Sequence, residues 1–318
     1  MLARLSCLFT LLLLGVAAPS RAAAQPRVGV LFPGSPEAHA AQLERFQTRL
    51  RALGRGVQLD VRYGHGDSAR LAREAGELAA TDGKAFVGFT LGPTEALRRA
   101  TEAGASPVLF VAIGDPVARG LVADLRAPGG RITGSSDLIP DVPRHRMDLL
   151  ADVLPQARRV ALISNAAITP RPPLDAAAAG HGITLQHVDV RDAAGFAAAY
   201  AAMAAERLDA LVVTPNGITF PERHRLAAWA RERRLPVMFG WREFMDAGGL
   251  LSLGANTGQL AEVAAEQLDQ VLRGAQPSAI AVATPKFDLV VDLRTAAQLG
   301  VQVPASVLSR ADQVIRGD

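Results

Sequence analysis

Short apolar runs rich in Val, Ile, Leu and Phe alternate with Ala/Leu/Arg/Glu-rich stretches along most of the chain. That alternation predicts parallel strands joined by helices that cover both faces of a sheet. In the first half it predicts strands over 27–32, 57–63, 85–89 and 108–113, helices near 37–53, 69–80 and 94–103, and a short fifth strand at Ile132–Gly134. The second half restarts the pattern with helix 142–153, strands 160–164 and 184–190, helix 193–206, strand 210–214, helix 221–233 and strand 237–240. The order then changes: strand 250–253, a long amphipathic helix over 258–273, strand 287–292 and a helical tail. A single α/β sheet does not need such appendages. They are expected if the chain crosses between two lobes near 135–139, 252–256 and 285–287, which would let each lobe move nearly as a rigid body. The expected fold class is therefore α/β, with two Rossmann-like lobes, parallel sheets and a three-segment hinge. One lobe is expected to hold 25–135 plus 254–284, the other 136–253 plus 285–318. Pro170-Arg171-Pro172-Pro173 is the one cluster hostile to a helix interior.

The first 24 residues stand apart from this pattern. Arg4, an apolar run from Leu8 to Ala18 and the small-residue site Ala22-Ala23-Ala24 predict a secretory signal cleaved before Gln25, and hence export to the periplasm. Cys7 is the only cysteine and precedes the apolar run, so the exported chain is expected to hold no disulfide, cysteine nucleophile or cysteine-based metal site. Losing Arg4 and Arg21, with no acid, takes the formal charge from +3 to +1. A near-neutral surface argues against a nucleic-acid partner. A mature chain of about 290 residues exceeds what one core usually holds, which also favours two lobes.

In open α/β sheets ligands bind beyond the carboxyl ends of the strands. The residues in those places are small or polar: Ser35, Thr90, Gly92, Thr94 and Asp115 in the first half, Asn165, Asn216 and Trp241 in the second. Thr90–Thr94 resembles a helix start that would favour an anion such as a ligand carboxylate, although either threonine could equally be a plain cap. Asp115 could receive a ligand ammonium or simply form the turn before Pro116. Trp241 could present its ring to the cleft or pack in the core. Asn165 and Asn216 offer donors and acceptors but also suit ordinary turns.

Enzymatic signals are missing. The six histidines, His39, His65, His145, His181, His187 and His224, show no H-E-x-x-H spacing, and there is no G-x-G-x-x-G, Walker-type or G-x-S-x-G motif. Gly66-Asp67-Ser68 reads as a helix cap. No metal and no cofactor are expected.

Several segments resemble the type I periplasmic binding proteins of ABC transporters, and within them an uncharacterised group related to tryptophan- and tyrosine-binding components. They are Val28-Gly29-Val30-Leu31, Ile113-Gly114-Asp115-Pro116-Val117, Gly120–Leu125, Pro128–Gly134, Arg242–Leu250 and Lys286–Leu293, with the ending Ala296–Gly300, Pro304 and Arg310-Ala311-Asp312. The resemblance covers nearly the whole exported chain. It implies a Venus-flytrap protein, not an enzyme, that captures a small-molecule ligand, an amino-acid-like or otherwise carboxylated solute in the leading reading, and passes it to a membrane permease of an ABC transporter as a monomer. It also implies that the loops at Ser35, Thr90–Thr94, Asp115, Asn165, Asn216 and Trp241 are cleft walls. Two departures stand out: Trp241 occupies a place where relatives usually have a small residue, and 168–173 shortens a helix that is usually uninterrupted. The alternative is a periplasmic sensing module that docks on a signalling receptor.

Overall fold

A computed structural model describes residues 25–317 apart from 105, 138–140, 170 and 285, so the expected signal segment lies outside the described residues. Its strands form two sheets. The first comprises β1 (Arg27–Phe32), β2 (Gln58–Tyr63), β3 (Ala85–Phe89), β4 (Val108–Val111) and β5 (Ile132–Gly134) in the order β2-β1-β3-β4-β5, all parallel. The inner strands β3 and β4 are buried along their whole length, whereas the edge strand β2 carries Gln58, Asp60 and Arg62 and is only half-buried. That is the pattern of a parallel sheet covered on both faces.

The helices over this sheet are α1 (Pro36–Ala52), α2 (Ser68–Ala79), α3 (Leu91–Ala100) and, from far along the chain, α8 (Thr257–Leu272). Asp67 caps α2 by accepting from the Ala69 and Arg70 amides at 2.7 and 3.1 Å. α8 buries Leu260, Ala261, Ala264, Ala265 and Leu268, and it packs against α1. Arg45–Glu262, Arg49–Glu266 and Arg55–Asp269 pair along that seam at 3.1, 2.6 and 2.7 Å.

The second sheet has the order β12-β11-β10-β9-β8-β6-β7. β6 (Arg159–Ser164), β7 (Thr184–Asp189), β8 (Ala210–Val213), β9 (Val237–Phe239) and β10 (Leu251–Ala255) run parallel, β11 (Phe287–Asp292) runs antiparallel to β10, and β12 (Gln313–Ile315) pairs in parallel with β11. Around it lie α4 (Val142–Val153), α5 (Pro172–Gly180), α6 (Phe196–Ala204), α7 (Arg223–Glu232), α9 (Leu293–Leu299) and α10 (Ala305–Leu308). The prolines at 172–173 stand at the start of α5, not in a helix interior: Pro172 opens the helix. At the first helical position the missing N–H has no partner to lose and the fixed φ suits the helix.

The chain leaves the first sheet after β5, returns to it through α8 and leaves again before β11. Two of these passages are bonded side by side, Ser136 N donating to the Ala283 carbonyl at 2.8 Å and Ala283 N to the Gly134 carbonyl at 2.9 Å. The third joins them where Asn256 Nδ2 reaches Asp288 Oδ2 at 3.3 Å. Behind this junction a polar chain ties α1 to α8 over the first sheet. Gly34 N donates to His39 Nε2 (3.2 Å), which leaves Nδ1 protonated and donating to Gln42 Oε1 (2.6 Å), and Gln42 Nε2 donates to Thr257 Oγ1 (2.9 Å).

Candidate functional site

A cavity of about 410 Å³ opens between the lobes, at the carboxyl ends of β3, β4 and β8 and beside the loop after β6. On the first-lobe side the backbone is strained. Thr90, Ala112 and Asp115 line the cavity with φ of 70, 58 and 45°, three of the five non-glycine residues with positive φ among the described residues. Thr90, with ψ of 178°, sits where essentially only glycine is comfortable. Its surroundings impose this. Gly88 has no room for a Cβ, because Thr94 would lie 2.6–2.7 Å away, so α3 folds tightly back on β3. Thr94 Oγ1 then donates to the carbonyls of Gly88 and Thr90 at 3.0 and 2.8 Å, and Thr90 N donates to the Val111 carbonyl at 2.8 Å. The Thr90 hydroxyl is left at the cavity wall with no hydrogen bond among the described residues. Strain of this kind, of order 1–3 kcal/mol, concentrates where a loop must present groups to a ligand.

The second-lobe wall is tied by side chains instead. Thr214 Oγ1 donates to the Ile163 carbonyl at 3.1 Å, and Asn216 Oδ1 accepts from the amides of Ile218 and Thr219 at 2.8 and 2.9 Å. These bonds fix the Asn216 amide and leave its buried Nδ2 without a partner. A buried donor in that state costs about 1–3 kcal/mol until something accepts from it.

Charge enters the cavity in two opposed pairs. Asp115 Oδ1 accepts from the Ala118 amide at 3.0 Å, and Arg119 Nε donates to the Gly114 carbonyl at 3.0 Å. Arg119 Nη2 also donates to the Ile168 carbonyl, so this side chain joins the two lobes across the cleft. Deeper in, Asp137 follows β5 at the first passage between lobes, and its Oδ2 accepts from Trp241 Nε1 at 3.0 Å. Burial raises the Asp137 carboxyl above its ordinary value, against the Trp241 hydrogen bond and the charges of Arg146 and Arg119, which lower it. Arg146, on α4, donates from Nε to the Leu253 carbonyl (3.0 Å) and from Nη2 to the Gly240 carbonyl (3.2 Å), tying the residue just past β9 to the middle of β10. Burial lowers its pKa to about 10, which still leaves it charged at neutral pH. Between these groups the wall is aliphatic: Leu91, Ile113, Val142, Ile168 and Leu174. No aromatic side chain lines it among the described residues.

Of the sequence candidates, Thr90, Asp115 and Asn216 lie on this wall and five do not. Ser35 caps α1, its hydroxyl accepting from Ala38 N at 3.4 Å. Gly92 is exposed on the outer side of α3, and Thr94 is fully buried beneath it. Asn165 is spent on a turn: its side chain accepts from Ala167 N at 3.0 Å and its carbonyl from the amides of Ile168 and Thr169. That turn brings Ile168 and Thr169 to the wall in its stead. The expectation that the Trp241 ring faces the cleft is corrected, since it is 2% exposed and packs edge-on against Phe220 and Phe244. Its only reach toward the cavity is the indole N–H on Asp137. Sequence reasoning missed Arg119, Asp137 and Arg146. Asp137 had a usable signal, a carboxylate just past a strand, whereas Arg146 lies inside a helix.

The profile of a family described as ABC transporter substrate binding protein matches residues 27–315, nearly all of the described chain. The chain belongs to this family. A crystal structure of an ABC domain in complex with L-Trp from Streptococcus pneumoniae is similar at 25% identity, with a TM-score of 0.83 over 92% of this chain and 100% of that one. A conserved domain protein from Vibrio cholerae O1 biovar El Tor gives 26% identity and a TM-score of 0.83 over 91% and 99%. A tyrosine-binding protein of Clostridioides difficile (strain R20291) is 22% identical over 201 residues, which are 62% of this chain and 57% of that relative. The chain thus spans little over half the length of that curated relative. The two-lobed architecture is that of the type I periplasmic binding proteins. As a substrate-binding protein, the chain has a cleft in the place where the fold puts ligands. No His/Cys/Asp/Glu group able to hold a metal occurs among the described residues, and none of their helices is long and apolar enough to cross a membrane.

Proposed function

We propose that this substrate-binding protein captures an amino-acid-like zwitterion with an apolar side chain and delivers it to the permease of an ABC transporter, acting in the periplasm as a monomer. The observation that carries this reading is the pairing of two carboxylates, Asp115 and Asp137, with two guanidiniums, Arg119 and Arg146, around one aliphatic cavity. A neutral solute would leave these charges without ligand partners. A zwitterion meets both signs at once. The L-Trp in the similar pneumococcal structure and the tyrosine in the clostridial relative's name support the same ligand class.

In this reading the lobes are 25–135 plus 254–284 and 136–253 plus 285–318, hinged at their three passages. Asp137 Oδ1, which lies 3.6 Å from where a Cβ on Gly114 would sit, receives the ammonium. The Thr90 hydroxyl, Asn216 Nδ2 and Arg119 receive the carboxylate, and the aliphatic wall takes the side chain. The open form predominates until ligand adds its differential affinity for the closed one. Closure brings Gly217 against Thr90 and Pro33, an approach so tight that a Cβ on Gly217 would fall 2.6–2.8 Å from them.

The test is thermal unfolding of residues 25–318 with L-amino acids, their amides, the matching amines and acids, and neutral sugars. A true ligand at about 100 times its dissociation constant adds about 2.7 kcal/mol. Stabilisation is expected only from solutes carrying both charges, and much less of it in Asp137→Asn. A protein stabilised by sugars or by amines lacking the carboxylate would overturn the reading.

A further inference from the structure

A second cavity, of about 350 Å³, lies at the opposite end of the second sheet, where β9 and β10 begin and β11 ends. α7 with the turn that follows it contributes Arg231 and Arg234 to its sides, and α9 contributes Arg294 and Gln298. Two acids, Asp246 and Asp292, are also on its wall, but both are occupied. Asp292 takes Nε and Nη2 of Arg294 at 3.2 and 2.8 Å, and Asp246 takes the Arg223 guanidinium at 3.1–3.4 Å with His224 Nε2 at 3.8 Å. Arg231 and Arg234 have no ion pair among the described residues, so two unneutralised cations face one pocket.

The backbone at Arg234 adds an independent observation. Five helices end in the same reversal, in which the cap residue or the one after it takes positive φ. α1, α5, α8 and α9 place Gly54, Gly182, Gly274 and Gly300 there, with φ of 69, 67, 97 and 70°. α7 places Arg234 there, with φ of 54°, its amide donating to the Arg231 carbonyl and the Leu235 amide to the Ala230 carbonyl. Glycine adopts this conformation without strain and arginine does not. The helix dipole does not explain the choice, because Arg233 already donates to the Trp229 carbonyl in the last turn.

We propose that this cavity binds a small phosphate monoester. Two free guanidiniums match the charge of a phosphate dianion and offer it paired, fork-like hydrogen bonds, whereas a monocarboxylate would leave one cation uncovered. Gln298 adds a neutral donor, and Ala227, Leu235, Val237 and Leu299 provide an apolar surface for the ester's organic part. The site is remote from the cleft, so its success or failure is separate from that of the zwitterion reading.

The test compares wild type, Arg231→Gln, Arg234→Gly and the double variant. Inorganic phosphate at about 10 mM, against chloride at matched ionic strength, is expected to raise the unfolding temperature of wild type. Phosphate affinity is expected to fall about tenfold or more in each single variant and to vanish in the double one. Arg234→Gly puts glycine where the backbone prefers it, so its loss of binding cannot come from loss of fold. Co-sedimentation with phosphatidic acid vesicles, against phosphatidylcholine vesicles, separates a lipid headgroup from a free ester: binding to the former that disappears in the double variant supports the same site with a lipid source. The proposal is overturned if chloride matches phosphate and the vesicles do not bind, or if binding of either probe persists in the double variant.

Discussion

His39 gives a prediction whose size can be worked from the structure. The side chain is 2% exposed, stacked 5.0 Å from Phe32, and its tautomer is set by the Gly34 amide, which donates to Nε2. A second proton would have to go on Nε2, where it would oppose that N–H in a site closed to solvent. Burial accordingly lowers the imidazole to about 4, against the Gln42 hydrogen bond, which raises it, and with a further lowering from the Arg223 charge. In the unfolded chain the ordinary value of about 6.5 applies. Between pH 6.5 and pH 4 the unfolded state therefore binds more protons than the folded state, so stability rises with pH in this window and is lost as pH falls through it. From pH 7 to pH 5 the loss attributable to His39 is about 2 kcal/mol.

Carboxylates titrate in part of the same range, and Glu243, raised by burial, contributes with the opposite sign. The measurement is therefore a difference: urea unfolding of wild type and His39→Gln at pH 7, 6 and 5. Gln cannot titrate, so the gap between the two proteins should shrink by about 2 kcal/mol on going from pH 7 to pH 5. Parallel stability curves would mean that His39 is not held neutral, and the buried relay through Gln42 and Thr257 would have to be redrawn.

Trp241→Phe keeps a ring in the Phe220–Phe244 cluster but removes the N–H on Asp137. Apo stability should fall by about 1.5–3 kcal/mol, and affinity for a zwitterionic ligand should fall with it, in urea unfolding and calorimetric titration. Unchanged values in both would make the Trp241–Asp137 bond irrelevant. Arg119→Ala removes the bond to the Ile168 carbonyl across the cleft. It should weaken ligand binding by about 1.5–3 kcal/mol with little change in apo unfolding, and an unaltered Kd would show that this contact does not hold the lobes shut.

The order of strands and helices was legible because each apolar run is bounded by turn residues, and the late change of order after 240 exposed the repeated passage between lobes. The failures have specific physical causes. α5 was missed because three prolines within four residues look like a break, although two of them suit a helix start. β12 was missed because Gln313–Ile315 is too short to show a period. In the site, the strand-end rule found Thr90, Asp115 and Asn216 because loop residues there can face only the cleft or the backbone. It failed for Trp241, whose direction depends on Phe220 and Phe244, partners brought to it by tertiary packing. Arg146 was beyond local reasoning altogether. It sits one residue before the buried Met147 on an amphipathic helix, and its face becomes a cavity wall only because the middle of β10 and the residue past β9 bring carbonyls within reach of its guanidinium. A charge can be kept in such a place only when the chain brings compensating dipoles from 94 and 107 residues away. Arg146 is therefore specified by the meeting of three chain segments rather than by any motif within one of them.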